Sequence, residues 1–225
     1  MGRTAMELSS INCAPEKDCA LCPRLVEFRE ANRTAFPDWH NAPVPTFCPT
    51  SAKPPVKLLI VGLAPGLRGA NRTGRPFTGD YAGDLLYATL GKFGLARGNY
   101  DARPDDGLEL VGCQITNSVR CVPPQNKPVG AEIAACRPFL ANTIKALPDL
   151  RVILALGTIA HGTVLSALGM RKVTFPFGHG AVHRLPGGVF FADSYHCSRY
   201  NTNTRRLTTD MFESVFEKLA ELIAD

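Results

Sequence analysis

Residues 56–80 read VKLLIVGLAPGLRGANRTGRPFTGD, and this stretch decides the architecture. The apolar run VKLLIVGL at 56–63 shows no polar alternation, so the strand it predicts is buried on both faces, as in a parallel sheet covered by helices on each side. Glycines follow at 62, 66, 69, 74 and 79. Such a loop at the carboxyl end of a parallel strand is where α/β sheets hold ligands, because backbone amides can approach a bound group closely. Neither GK[ST] nor GxGxxG follows, which excludes a Walker loop and a dinucleotide fingerprint. On the glycines alone, an ordinary strand-to-helix turn competes evenly with an anion or base site.

Working outward, a helix is predicted at about 81–93 with Leu85, Leu86, Leu90 and Phe93 inward, then a strand at LELVGCQITN (108–117) and a helix at 130–146. A third strand, RVILALG (151–157), precedes a short helix, and GVFFADSY (188–195) reads as a final strand. Leu207, Met211, Val215, Leu219 and Leu222 step by four or three along a closing helix. Alternating strands and helices predict a three-layer α/β/α sandwich with a short, mostly parallel central sheet. Toward the amino terminus, six prolines between 36 and 55 predict an extended surface wrap, and Leu25 and Phe28 share one face of a helix that follows Cys13, Cys19 and Cys22. The expected organisation is a tail at 1–12 and a single domain at 13–225.

Of 225 residues 45% are hydrophobic, enough for one well-buried core, and no run approaches the 18 or so apolar residues of a membrane span. No secretory apolar region opens the chain, so a cytoplasmic location and no membrane partner are expected. In that reducing compartment eight cysteines point to metal or cluster ligation rather than disulfides. The net charge of +5 permits a polyanionic partner without specifying one.

Four segments could carry chemistry. Cys19-x2-Cys22 and Cys121-x14-Cys136 would make a four-sulfur site for an iron–sulfur cluster or Zn²⁺, with four buried free thiols as the competing reading and Cys13 as a rival to Cys19. Cys113, within an apolar strand, reads as a small core residue. In the glycine loop, Gly62, Leu63, Ala64, Pro65 and Gly66 could line a pocket, Phe77 offers an aromatic face, and Asp80 is either a functional carboxylate or a helix cap. Asn117 ends the second strand, where its amide could read an imide edge or make a local turn. In DSYHCSRYNTNTRRL (193–207), His196 is trailed by Ser198, Arg199, Asn201, Arg205 and Arg206, a candidate phosphate-gripping loop or a polar helix cap. A serine hydrolase is excluded for want of GxSxG. His161, His179 and His183 are expected at the surface or in loops.

Together GLAPG with NRTGRPFTGD, ITNSVRCVPP with EIAACRPFL, and SYHCSRYNTNTRRLT resemble, in order along the chain, the family 5 (type B) iron–sulfur enzymes of the uracil-DNA glycosylase superfamily. The resemblance runs from about Cys19 to Leu207 and implies the uracil-DNA glycosylase fold and a [4Fe–4S] cluster on Cys19, Cys22, Cys121 and Cys136; a monomer is expected. It implies excision of uracil, and of bases such as hypoxanthine, ethenocytosine and hydroxymethyluracil, from single- and double-stranded DNA by hydrolysis of the glycosidic bond. Phe77 would stack on the flipped base, Asn117 would read its amide edge, and His196 would stabilise the departing base. Where other branches carry a water-positioning Asp or Asn, this chain has Leu63, which leaves Asp80 for that task. Ser198, Arg199, Asn201, Arg205 and Arg206 would meet the DNA backbone. Cys197 stands where relatives more often have proline. The competing expectation is a non-catalytic iron–sulfur protein that binds nucleic acid or carries electrons.

Overall fold

The run that opened the sequence reading forms β1 (Leu58–Gly62), every residue of which is buried. The computed structural model describes residues 13–224, so the tail expected at 1–12 lies outside the described residues. Around β1 are α1 (Pro23–Ala35), the short α2 (Ala70–Thr73), α3 (Tyr81–Lys92), β2 (Ala96–Arg97), β3 (Glu109–Leu110), β4 (Cys113–Asn117) and α4 (Gly130–Lys145). There follow β5 (Val152–Leu156), α5 (Thr158–Ala167), β6 (Val182–Arg184), β7 (Phe190–Ser194), α6 (Arg199–Asn203) and α7 (Thr209–Ala224). The main sheet has the order β4-β1-β5-β7-β6, parallel except for the β6–β7 edge, and β2 pairs with β3 in a separate antiparallel ribbon.

Strand periodicity divides the core between two faces. Leu58, Ile60, Ile115, Val152 and Leu154 pack with Leu86 and Leu90 of α3 and Phe212, Val215, Phe216 and Leu219 of α7. Leu59, Val61, Ile153, Ala155 and Phe191 face the other way, onto Leu140 of α4 and Ala160, Val164 and Leu165 of α5. This is the three-layer α/β/α sandwich expected. Among the described residues no helix is long and apolar enough to cross a membrane.

Two expectations need correction, and one edge strand had no expectation at all. The strand predicted at 108–117 breaks in two at Gly112, whose φ of 62 turns the chain out of register. The proline-rich segment is not purely a surface wrap: Asn41, Ala42 and Val44 are buried and Phe47 makes an antiparallel bridge to Ile115. Strand β6 was not foreseen, because three residues on an exposed edge carry no burial pattern to read. Register then positions the site: Gly62 is paired with Asn117 at the ends of β1 and β4, and His196 lies two residues beyond the end of β7.

Candidate active site

At the carboxyl ends of the parallel strands, Ala64, Gly66, Ala70, Phe77, Asp80, Ala82, Asn117 and His196 line one cleft of about 260 Å³. The Phe77 and His196 rings stack with centroids 5.8 Å apart and an interplanar angle of 28°. A Cβ placed on Gly62 would meet Asn117 Oδ1 at 2.5 Å and Phe77 Cζ at 2.6 Å, so the strand end must be glycine for both side chains to reach the cleft. Ser118 N and Val119 N donate to Gly62 O and Leu63 O at 2.9 and 3.0 Å, extending the β1–β4 ladder into both loops. Leu63, Ala64 and Pro65 thus continue the strand end, but of these only Ala64 is a lining residue.

Burial shifts both titrating groups of the cleft. Burial pushes the His196 pKa down to about 4, so the imidazole is neutral near pH 7, and its Nδ1 is buried with no hydrogen-bond partner. Burial also raises the Asp80 pKa, against the opposing pull of the Ala82 and Gly83 amides at the start of α3, and Asp80 Oδ1 too is buried and unpaired. Asp80 occupies the N-cap position of α3 but closes no cap hydrogen bond with its side chain. Instead, Cβ atoms on Gly66 or Gly69 would strike its carboxylate, so the glycine loop wraps that group closely. A buried polar atom left unpaired costs about 1–3 kcal/mol, and two such atoms belong to residues lining this cleft.

The loop after His196 is organised by its own side chains. Asn201 Nδ2 donates to His196 O at 2.8 Å, and Ser198 Oγ caps α6 by accepting from Asn201 N at 3.4 Å. Arg199, Arg205 and Arg206 are exposed, the first over the Tyr81 ring at 5.4 Å and the last over the Tyr195 ring at 4.8 Å. Cys197 is fully buried and donates to Ala82 O at 3.4 Å, which ties the histidine loop to α3. Beneath the loop, Gly157 adopts φ 95 and donates to Ser194 O at 2.8 Å.

A second cavity, of about 320 Å³, is lined by Cys19, Cys22, Cys121 and Cys136 with Leu25, Arg29, Val119 and Phe139 among others. Arg24 brings its walls together: its Nε and Nη2 donate to the Glu132 carboxylate at 2.7 and 2.8 Å, clamping α1 to α4. Among the described residues no three ligand-type side chains close tightly enough to hold a single metal ion. Cys13 is not a lining residue. Its carbonyl instead accepts from Arg120 Nη2 at 3.4 Å.

Two buried cations flank this cavity. Arg120 is 1% exposed and donates to Thr46 Oγ1 and Thr143 Oγ1 at 2.8 and 3.1 Å, with no carboxylate pairing among the described residues. Its backbone N donates to Cys136 Sγ at 3.4 Å. Arg29 is 3% exposed, its Nε has no hydrogen-bond partner, and the nearest carboxylate, that of the exposed Glu30, lies 3.6 Å away. Burying a guanidinium is costly when its partners are neutral, as for Arg120, or when the one nearby carboxylate is exposed, as for Arg29.

Sequence reasoning missed two features. His161 is not at the surface but buried in α5, with Nδ1 2.8 Å from Asp193 Oδ1 and its ring stacked on Phe191 at 5.0 Å. Its isolation in a helix of otherwise small and apolar residues was the available signal. His179 and His183 lie in a loop and on edge strand β6, as expected. The second feature is Arg75, paired with Asp106 at 2.7 Å though 31 residues separate them, a contact no local motif announces.

The family described as the Uracil DNA glycosylase superfamily matches residues 49–220 of the chain. A type-5 uracil-DNA glycosylase of Thermus thermophilus is 45% identical over 210 residues, covering 91% of this chain and 93% of the relative. A type-5 enzyme of Mycobacterium leprae is 42% identical over 212 residues, with 91% of each chain covered. One from Pyrobaculum aerophilum is 37% identical over 207 residues, with 90% and 88% covered.

Proposed function

Because the chain belongs to the uracil-DNA glycosylase superfamily, we propose that it excises uracil from DNA in repair, hydrolysing the N-glycosidic bond to leave an abasic site. The carrying observation is the convergence of Phe77, Asp80, Asn117 and His196 in one cleft at the ends of the parallel strands. A base removed enzymatically is first taken out of the stack. The Phe77 ring provides a stacking face, and the buried Asn117 amide offers one donor and one acceptor to the uracil imide edge. As the bond breaks, negative charge grows on the base oxygens and positive charge on the sugar. The neutral His196 imidazole donates to the developing oxyanion, a contact that strengthens as charge accumulates. The Asp80 carboxyl group, enclosed by the glycine loop, orients the water that captures the sugar cation.

The exposed Arg199, Arg205 and Arg206 are suited to the phosphates flanking the site, while Ser198 and Asn201 hold the loop that presents His196. The thiol cavity supports a [4Fe–4S] cluster on Cys19, Cys22, Cys121 and Cys136. Four soft sulfurs around one cavity, with two buried arginines nearby, suit an anionic iron–sulfur cluster, and among the described residues no three ligand-type side chains close on a single ion. When bound, the cluster supplies a covalent brace between the start of α1, the loop after β4, and α4. Excision of hypoxanthine, ethenocytosine and hydroxymethyluracil, activity on single strands and a monomeric state complete the proposal.

A labelled uracil-containing oligonucleotide, treated with protein and then with alkali, tests the reading directly: strand cleavage at uracil is expected, and its absence with fully loaded protein would overturn it. In single-turnover form, Asp80→Asn is expected to slow excision by about 10²-fold, the lower range for loss of an acid–base group. A rate near wild type removes Asp80 from the mechanism. Gly62→Ala is expected to cost a similar factor of about 10², because the new methyl displaces Phe77 and Asn117 together. Here the check is whether thermal stability stays close to wild type while the rate falls.

A further inference from the structure

Phe77 holds a backbone φ of 53, a left-handed conformation that a phenylalanine rarely adopts, so its surroundings must hold it there. Most of the holding groups lie outside the glycine loop. The Tyr100 hydroxyl donates to Phe77 O at 3.2 Å and accepts from Gly79 N at 3.4 Å. The Tyr87 hydroxyl donates to Pro76 O at 2.6 Å. Arg75, two residues before Phe77, donates from Nε to Thr78 Oγ1 at 2.7 Å and from its two terminal nitrogens to the Asp106 carboxylate at 2.8 and 2.7 Å.

That ion pair is sealed from water: the Arg75 and Asp106 side chains are 6% and 0% exposed. The guanidinium is caged by Phe47, Tyr87 and Tyr100, whose ring centroids lie 5.2, 5.6 and 5.8 Å from it. Asp106 also accepts from the amides of Asp101 and Leu108 at 3.0 Å each, so the carboxylate is fastened to its own loop. From the other side, a Cβ on Gly83 would collide with Phe77 O and the Tyr100 hydroxyl, so α3 presses its backbone against the same point.

We propose that Tyr100 and Asp106 are positioning residues for base recognition, locking Phe77 in the left-handed conformation that lays its ring against Gly62 and Asn117. The segment 100–108 thereby sets the affinity of the cleft for an everted base. This inference rests on the uracil reading above. Binding of a base by stacking is shared between ground state and transition state, so loosening the platform raises KM while sparing the saturated rate. A merely structural role for the segment would lower stability and leave no specific coupling to Phe77.

The test uses full-length holoenzyme and an oligonucleotide carrying a 2′-fluoro-deoxyuridine, which resists cleavage and permits equilibrium binding, beside its thymidine counterpart. Tyr100→Phe keeps the ring and removes only the hydroxyl. It is expected to raise KM and the Kd for the uracil analogue roughly tenfold, with the saturated excision rate within about twofold of wild type. In a Phe77→Leu background the same change is expected to have no further effect, giving a non-additive double-mutant cycle. Asp106→Asn is expected to act likewise, with partial recovery in Asp106→Glu. Should the wild type discriminate the analogue from thymidine while the Tyr100 and Phe77 effects simply add, this inference alone is overturned. Equal wild-type binding of the two oligonucleotides would instead defeat the uracil reading and this inference with it. If Asp106→Asn does not fold, the hydroxyl deletion still decides.

Discussion

His196→Ala is expected to lower single-turnover uracil excision by about 10²–10³-fold, the range seen when one preorganised donor to a developing oxyanion is lost. The argument is electrostatic. The imidazole sits where burial holds its pKa at about 4, so it approaches the base uncharged and exerts its effect only as charge builds on the leaving group. Uniform binding would raise affinity without speeding the step, so the loss should appear in the rate at saturating enzyme rather than in KM. The pH profile provides an independent check. A neutral donor whose pKa lies near 4 contributes no inflection between pH 5 and 8. If the active form were the imidazolium, activity would fall as pH rises through its titration. The acid limb belongs to Asp80: burial raises its pKa above 3.8, so excision should decline as pH drops through that raised value, and Asp80→Asn should abolish that limb. A descending alkaline limb that vanishes in His196→Ala would overturn the neutral-donor mechanism.

How much of this was legible in the chain follows from the range of the interactions involved. Leu58 to Val61 announce a doubly buried strand because burial on both faces forbids polar residues, and that constraint is local. The cleft residues could be named from short motifs because they sit on the turns that end the strands, where register alone brings Gly62 beside Asn117. That Ser198 and Asn201 also organise their own loop is not legible in the sequence, because a hydroxyl and an amide among arginines look outward there. In the folded loop Ser198 caps α6 and Asn201 holds His196 O. His161 and Arg75 were out of reach for the opposite reason. Their partners, Asp193 and Asp106, lie 32 and 31 residues away, and only tertiary packing makes those contacts. Buried charge is the part of the design that sequence patterns report least, since Arg120 in ITNSVRC looks like any loop arginine until its missing counter-ion is seen.

That missing counter-ion leads to the second large effect. Cys136→Ser, or removal of iron by chelation, is expected to lower Tm by roughly 10–15 °C, with bleaching of any iron–sulfur absorption. Arg29 and Arg120 are 3% and 1% exposed, Arg29 lining the thiol cavity and Arg120 donating its backbone N to Cys136 Sγ. With thiolates and a bound cluster in place, their charge is compensated. Stripped of it, the thiols take up protons, because burial and the neighbouring Cys136 push Cys121 up to about 12, and the arginines are left as buried cations with neutral partners and, for Arg29, only the exposed Glu30 carboxylate at 3.6 Å. Breaking a buried pair in this way costs about 3–5 kcal/mol, and for a domain of this size each kcal/mol is worth about 2–4 °C. If charge is the cause, the penalty should depend on the arginine. Arg120→Met is expected to weaken cluster retention in the holoprotein yet to recover part of the apo protein's lost stability, since it replaces an unpaired buried charge with apolar volume. Arg120→Lys, which keeps the charge, should hold iron better than Arg120→Met. Equal destabilisation of holo and apo forms by Arg120→Met would show that the residue serves packing alone. A freshly purified wild type without iron or acid-labile sulfide would instead remove the cluster from the proposal.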